Sequence, residues 1–318
     1  MTTLKRCIFC KETIHKNRDG NHSEEHIFPQ WMLEFFNLEK QYIKVAVKKG
    51  DQTQIVRGAN SPYLYKSFTA TDVCRPCNTG WMSRLEVEAR KVLEPLMIGS
   101  RTIDELTIKG RRLLARWVAK TAFAMNLDRR EAWGRKLPNE HLKIVRKNST
   151  KLPEDIYVYA FQHFKHYSLV PRTPDFKWPL NLWSSKCIVK ANPEENLAGV
   201  TQQDIERAHE GSYKVTFMLG ILVITIGYCP DNRFAFQQSR GLHEVVWPPA
   251  LAPIYFQRGD EVPNGDCGDE VELGENYHHS LNLVTRPPLV PMELILENPS
   301  VAQLYFHPRL IQLSSKLV

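Results

Sequence analysis

The chain of 318 residues lacks a hydrophobic run long enough to cross a membrane. Its longest apolar stretch, Phe217–Ile226, is about half the length of a membrane-spanning helix. The N-terminus reaches Lys5, Arg6 and Cys7 without an apolar segment, so we expect no signal peptide. Internal repeats and low-complexity tracts are also missing. We therefore expect an ordinary globular protein in the cytoplasm, without membrane contact.

Cysteine is too scarce, and odd in number, for a disulfide framework. The chain has seven cysteines, and four of them form two Cys-x-x-Cys pairs, Cys7/Cys10 and Cys74/Cys77. The other three are scattered through the C-terminal half. An odd count in a cytoplasmic protein argues against disulfides and directs attention to the two matched pairs.

Acidic residues are few in the first half of the chain. Residues 1–151 contain 29 Lys and Arg against 16 Asp and Glu, a net charge of +13, whereas residues 152–318 contain 13 against 19, a net of −6. A basic half joined to an acidic half is typical of a protein in which one domain meets a polyanion. A solvated basic surface would give the same count.

Hydrophobic periodicity predicts an α+β fold in three parts. Residues 1–100 are expected to form a zinc-stabilised domain, and residues 101–150 a basic amphipathic helix and connector. Residues 151–318, beyond a boundary near Thr150, are expected to form a β-rich domain of unknown role. The period changes from about 3.6 to about 2 at this boundary.

Four helices and six strands are predicted. A short helix begins at Pro29 and carries the apolar residues Trp31, Met32, Phe35 and Phe36. The other three helices cover Gly80–Ile98, Asp104–Asp128 and Val200–Gly211, the last with Thr201 as its N-cap. The strands are Tyr42–Val47, Gln54–Arg57, Ile156–Phe161, Cys187–Lys190, Tyr213–Met218 and Ile221–Tyr228.

Four basic residues recur at helical spacing in the second helix: Lys109, Arg112, Arg116 and Lys120. Residues three and four apart share one face of a helix, so these four are expected to form a basic stripe opposite an apolar one. The stripe is either a solvated face or a surface that contacts nucleic-acid phosphates.

The two cysteine pairs predict a structural zinc site made of Cys7, Cys10, Cys74 and Cys77. Zn²⁺ is tetrahedral, prefers thiolate sulfur, and is chelated by each pair across a two-residue gap. The 63 residues between Cys10 and Cys74 leave room for an inserted strand pair. A redox dithiol or four unrelated cysteines would not explain two matched pairs.

A second constellation lies beside the cysteines. Glu25-His26 falls between the two pairs, and Asn78 follows the second pair directly. Hydrolysis of a phosphodiester needs a base to activate water and a divalent metal to neutralise charge on the phosphate. Histidine suits the base, while a carboxylate and an amide oxygen suit Mg²⁺ or Mn²⁺. Glu86 is either a helix-surface salt-bridge residue or a third ligand.

The combined motif resembles the HNH endonucleases. It consists of Cys-x-x-Cys, then Glu-His-Ile-Phe-Pro-Gln from Glu25, then Cys-Arg-Pro-Cys-Asn-Thr-Gly-Trp from Cys74. The resemblance covers roughly residues 5–90. It implies a ββα-metal fold on a treble-clef zinc site, with His26 as general base. It also implies that Glu25, at the usual Asp position, and Asn78 are the ligands of a catalytic Mg²⁺ or Mn²⁺.

The sequence departs from the family pattern at three positions. Trp81 replaces a frequent Lys, Thr69 stands where an orienting Asn is common, and Glu25 is one methylene longer than Asp. The first hypothesis is nevertheless a metal-dependent HNH-type endonuclease that cleaves DNA. Bacterial proteins of this family often serve restriction or phage defence.

Two other classes of function compete with the nuclease. One is a zinc-stabilised nucleic-acid-binding protein whose HNH domain is degenerate and does not cleave. The other is an interaction protein, in which the N-terminal domain only supports the acidic C-terminal part. In the nuclease hypothesis the C-terminal domain would select the target, partner or trigger. A protein partner or a second copy of the chain, if there is one, is expected to bind through this domain.

Overall fold

The structure is a computed structural model, and it describes the following parts of the chain: residues 5–15, 20–43, 45–49, 52–57, 63–125, 138–147, 152–153, 155–162, 180–190, 199–236, 244–247 and 282–285. The chain divides into two compact units. Unit 1 comprises Met1–Glu94 and Arg112–Pro153, and unit 2 comprises Pro95–Arg111 and Glu154–Val318. The architecture is mixed α+β, as predicted.

Unit 1 contains two short antiparallel strand pairs. Strand β1 (His22–His26) pairs with β4 (Thr69–Cys74), and β2 (Val45–Lys49) pairs with β3 (Gln52–Arg57). Helix α1 (Gln30–Phe35) follows β1. The β2–β3 pair confirms the predicted strand pair, with bounds shifted by a few residues.

The helical part of unit 1 begins directly after β4. Helix α2 (Arg75–Cys77) runs into a π-helical turn (Asn78–Met82), and α3 (Ser83–Met97) continues from it. Helix α4 (Ile108–Met125) and helix α5 (Asn139–Arg146) follow. The predicted helix from Gly80 therefore starts earlier and with a wider turn, a feature often found near functional sites.

Helix α4 is buried on nearly every side in its C-terminal half. From Leu114 to Met125, all residues except Arg116 are buried. A helix that is apolar all round lies inside a protein rather than on its surface. Unit 1 also buries four aromatic and aliphatic side chains almost completely: Phe9, Phe28, Met32 and Leu33.

Unit 2 is built on a five-stranded antiparallel sheet in the order β11-β5-β9-β8-β6. These strands are β5 (Ile156–Gln162), β6 (Leu180–Ser185), β8 (Tyr213–Leu219), β9 (Leu222–Tyr228) and β11 (Glu244–Trp247). The described residues also form a three-stranded sheet of β7 (Val189–Lys190), β10 (Phe234–Phe236) and β12 (Leu283–Thr285).

The predicted helix of unit 2 is confirmed, including its cap. Helix α6 covers Gln202–Gly211, and Thr201 and Asp204 form a reciprocal capping box. A core of buried apolar residues lies between the sheets and α6: Tyr157, Tyr159, Cys187, Val200, Ala208, Met218, Val223, Cys229, Phe234, Phe236 and Leu283.

Several elements escaped the sequence analysis. Strand β1 is not among the six predicted strands, because His-Ser-Glu-Glu-His has no alternating apolar residues. Strand β6 and helix α5 were also missed; α5 lies in the segment expected to be a basic connector. The proline-rich stretches after residue 247, and residues 126–137 of that connector, lie outside the described residues. Within the described part of the chain, no helix has the length and apolar character needed to span a bilayer.

Candidate active site

The four paired cysteines converge on one point of unit 1. The Sγ atoms of Cys7, Cys10, Cys74 and Cys77 all lie within 4.8 Å of one another. Four thiolates around a tetrahedral Zn²⁺, with Zn–S bonds of about 2.3 Å, would lie about 3.8 Å apart. The cluster could therefore hold a metal ion such as zinc, and the number, type and spacing of its donors fit that ion.

Backbone hydrogen bonds shape the turn that carries the first pair. The Cys7 N–H donates to the Glu12 carbonyl, and the Lys11 N–H donates to the Cys7 carbonyl, both at 2.8 Å. Lys11 takes a left-handed φ of 68°, which closes this turn. The Ile8 N–H donates to the Asp72 carbonyl at 3.1 Å and ties the turn to β4, which ends at the second pair.

Hydrogen bonds and burial shift the pKa values of the clustered thiols in opposite directions. A hydrogen bond from Cys77 lowers the pKa of the Cys7 thiol to about 4. The same hydrogen bond raises the pKa of Cys77, and burial raises the pKa of Cys74 to about 12. The indole N–H of Trp81 faces Cys77 and opposes part of that rise. Trp81 thus lies beside the cysteine cluster. Its ring also packs on Phe9, with ring centroids 5.1 Å apart.

Asn78 links the start of the helical segment to strand β1. Its Nδ2 donates to Ser23 Oγ at 2.7 Å and to the Glu24 carbonyl at 3.1 Å. The structure therefore brings Asn78 against β1, immediately before Glu25 and His26. The cysteine cluster holds this contact in place, since Asn78 directly follows Cys77.

His26 is half-buried at the end of β1, where it lies opposite Thr69 in the β1–β4 register. Its imidazole makes no hydrogen bond with any other residue in the described ranges. Thr69 is buried. Because it lies directly opposite His26 in the β1–β4 pair, its side chain occupies a position from which it could orient the imidazole. A partly exposed, unengaged imidazole is able to accept a proton from a water molecule.

Glu25 lies in a buried ion-pair network that the sequence analysis did not predict. Its Oε1 accepts a hydrogen bond from Lys120 Nζ at 2.6 Å, and Glu86 Oε1 accepts one from the same ammonium at 2.7 Å. Lys120 is 0% exposed and Glu25 only 4% exposed. We call these three residues the buried triad.

Two carboxylates share one ammonium in the buried triad, so its formal charge is −1. Burial raises the pKa of Glu25, although the Lys120 charge opposes this shift. Burial acts to lower the pKa of Lys120, but attraction to Glu25 and Glu86 outweighs it and raises the pKa overall. Lys120 is accordingly charged at neutral pH, and one ammonium only partly offsets the two acids.

The predicted basic stripe on α4 is wrong at its C-terminal end. Lys109 and Arg112 are exposed, but Lys120 is buried in the triad and has no access to phosphates. Arg116 is half-buried, donates from Nη2 to the Val145 carbonyl at 2.8 Å, and stacks over Trp81. Helical spacing predicted which residues share a face, but not that other elements would cover it.

Of the two roles predicted for Glu86, the structure agrees with that of a salt-bridge residue, because Glu86 pairs with Lys120. One sequence signal could have revealed this partner. Lys120 is the only charged residue in the run Trp117–Met125, which is otherwise almost entirely apolar. A lone lysine in such a run is seldom buried without a carboxylate beside it.

No protein family, curated protein or solved structure matches this chain. The assignment of function therefore depends on the residues and geometry of unit 1.

Proposed function

We propose that unit 1 is a metal-dependent endonuclease of the HNH type, which hydrolyses phosphodiester bonds in DNA. The observation that carries the proposal is that Asn78 contacts strand β1 beside Glu25 and His26. Asn78, adjacent to the cysteine cluster, hydrogen-bonds β1 at Ser23 and Glu24, next to Glu25-His26. The order of the elements, with two paired strands followed by a helical segment, also agrees with a ββα-metal domain on a structural Zn²⁺.

The donor atoms beside His26 fit a hard divalent cation. Mg²⁺ and Mn²⁺ prefer carboxylate and amide oxygens and keep several water ligands. Oε2 of Glu25 and Oδ1 of Asn78 accept no hydrogen bond from residues that the structure describes, whereas Oε1 of Glu25 is taken by Lys120. Glu25 and Asn78 would hold the ion, each through one oxygen.

In the proposed reaction His26 removes a proton from water, and the hydroxide attacks phosphorus in line with the 3′-oxygen. The P–O3′ bond then breaks, and the leaving 3′-oxygen takes a proton from solvent water. A cation held by Glu25 and Asn78 would supply charge neutralisation at the scissile phosphate. Thr69, across the strand pair from His26, is placed to restrict the imidazole, and Asn78 holds β1 in register with the helical segment.

Replacement of His26 tests the proposal. We expect His26→Ala to slow nicking of supercoiled plasmid by at least about 100-fold in Mg²⁺ or Mn²⁺, because general-base catalysis typically contributes 10²–10⁴-fold. The fold should survive, since the imidazole makes no hydrogen bond within the described ranges. Circular dichroism and zinc content would check this, and plasmid nicking would be followed by gel electrophoresis.

His15→Ala is the matched control for that experiment. His15 is an exposed histidine of unit 1 outside the proposed site, so its removal should leave nicking unchanged. Equal nicking by wild type and by His26→Ala would refute the assignment of the base.

Arg112 is the exposed basic residue of α4 that belongs to unit 1, and it is expected to contact the DNA backbone. Each phosphate contact adds nearly one to the slope of log affinity against log salt. Arg112→Ala should therefore reduce the slope by about 1, measured by fluorescence anisotropy with labelled duplex DNA. Lys190→Ala, an exposed position in unit 2, is the control. An unchanged slope in Arg112→Ala would remove this contact from the interface.

A non-cleaving nucleic-acid-binding protein is the second candidate, and the buried triad favours it. An ammonium on Oε1 neutralises much of the Glu25 charge that a metal ion would need. If the wild-type protein retards DNA in a gel but never nicks it with Mg²⁺ or Mn²⁺, this second function is the correct one. An absence of binding at low salt would instead favour a protein-interaction role.

A further inference from the structure

We propose that Lys120 is a positioning residue that determines which divalent cation Glu25 accepts. By holding Oε1 of Glu25, Lys120 leaves one carboxylate oxygen for the metal ion, and so favours Mg²⁺ or Mn²⁺ over Ca²⁺. The inference rests on the proposed metal-dependent function.

The first argument is that the Lys120 ammonium is held rigidly. It comes from α4 and meets Glu25 of β1 at 2.6 Å and Glu86 of α3 at 2.7 Å. Its side chain is fully buried, so water cannot replace either carboxylate without a rearrangement of the core. Lys120 is thus a permanent neighbour of Glu25 rather than a mobile surface charge.

The second argument concerns the two oxygens of Glu25. Lys120 contacts Oε1, and Oε2 accepts no hydrogen bond from any residue within the described ranges. The Lys120 ammonium takes one lone pair of Oε1 and repels a second cation from that oxygen, so a cation that binds Glu25 while Lys120 stays in place binds mainly through Oε2. Bidentate coordination by this carboxylate is therefore disfavoured.

Restriction to one oxygen affects different cations unequally. Mg²⁺ has six ligands in a near-ideal octahedron, keeps several waters, and needs only one or two carboxylates. Ca²⁺ takes six to eight oxygens at longer distances and often uses a carboxylate through both oxygens. Loss of bidentate coordination thus lowers the affinity of Glu25 for Ca²⁺ more than its affinity for Mg²⁺ or the similarly sized Mn²⁺.

A purely structural role for Lys120 makes a different prediction. In that case Lys120 would only balance buried charge, and its removal would lower stability without changing the relative affinities of the cations. The ratio of Ca²⁺ to Mg²⁺ affinity is therefore the measurement that separates the two roles.

The test uses the full-length, zinc-loaded protein and its Lys120→Met and Glu86→Gln variants. Mn²⁺ binding is measured from the electron paramagnetic resonance signal of free Mn²⁺, and Ca²⁺ and Mg²⁺ then compete for the site. In Lys120→Met the affinity ratio should move at least about tenfold towards Ca²⁺, because both oxygens of Glu25 become available. Glu86→Gln keeps the contact between Lys120 and Glu25 and should retain the wild-type ratio.

A second variant covers the case in which Lys120→Met fails to fold, as judged by circular dichroism. Lys120→Met combined with Glu86→Gln removes one charge of each sign and keeps the formal charge of the triad at −1. The same shift towards Ca²⁺ is expected. Glu25→Gln locates the site, since it should abolish Mn²⁺ binding.

The outcomes distinguish this inference from the proposed function. If wild type binds no Mn²⁺ at all, the metal-dependent nuclease fails, and the inference fails with it. If wild type binds Mn²⁺ through Glu25 but the folded variants keep the wild-type ratio, only the role of Lys120 is overturned. Mn²⁺ binding that survives Glu25→Gln overturns it as well, because the ion then lies elsewhere.

Discussion

The cysteine cluster could hold a zinc ion, and removal of that ion is expected to unfold unit 1. A tight chelator, or the substitution Cys74→Ser, should abolish the protection of the β1, β4 and α3 amides against hydrogen exchange. Amides of β8 and β9 should stay protected, because that sheet has its own buried core in unit 2. Hydrogen exchange followed by mass spectrometry on the full chain, with zinc measured in parallel, would check this result.

The expected size of this effect follows from the energetics of zinc sites. Structural Zn²⁺ contributes apparent binding energies of about 10–16 kcal/mol at pH 7. A whole domain is stable by only about 5–15 kcal/mol. The cluster joins the turn that carries Cys7 and Cys10 to the end of β4, and Cys10 and Cys74 are 64 residues apart in sequence. Without the ion, unit 1 loses the connection that holds Asn78 against β1.

Cys187→Ser is the matched control for the cysteine substitution. Cys74 and Cys187 are both 0% exposed, but Cys187 lies in unit 2 and outside the metal cluster. Its replacement should leave the zinc content unchanged. A Cys74→Ser protein that kept its zinc and its exchange protection would exclude a folding role for the cluster.

Lys120→Met is expected to destabilise the protein by about 3–5 kcal/mol, because it leaves the buried carboxylate of Glu25 and the partly buried carboxylate of Glu86 without their counter-ion. Methionine preserves most of the length of the side chain, so packing around α4 changes little. The loss therefore measures mainly the uncompensated charge of Glu25 and Glu86. Chemical denaturation with guanidinium, monitored by circular dichroism, gives the free energy of unfolding.

Glu86→Gln separates charge from hydrogen bonding in the same network. The amide oxygen can still accept a hydrogen bond from Lys120, and the triad becomes formally neutral. Since Glu86 is 22% exposed, we expect a change in stability below about 1 kcal/mol. Equal losses in Lys120→Met and Glu86→Gln would show that the shared ammonium is not the dominant interaction.

Local patterns made part of this fold predictable from sequence. The two-residue gaps in the cysteine pairs predicted a cluster of thiols, and the four Sγ atoms do converge. The period of about two over Tyr213–Met218 and Ile221–Tyr228 predicted neighbouring strands, and the observed strands β8 and β9 pair along their full length. Thr201 was recognised as a helix cap from its own sequence neighbourhood. In each case the signal lies within a few residues of the structure it specifies.

Long-range pairing explains most of what was missed. Strand β1 is polar throughout, and it forms because β4 pairs with it and Asn78 bonds to it. Neither partner is close in sequence, so no local alternation of apolar and polar residues predicts the strand. Helix α4 was read as two-faced because its basic residues repeat at helical spacing, yet its C-terminal half is enclosed on all sides.

The sequence by itself determined the candidate metal ligands and base of this protein: four paired thiols, the Glu25-His26 dipeptide and an asparagine directly after the second cysteine pair. These depend on residue identity and short spacing, which the chain carries locally. Only the tertiary structure decided that Lys120 meets Glu25 across 95 residues of sequence and leaves the basic stripe. A buried charge takes its role from the groups that packing places beside it, and that packing involves distant elements.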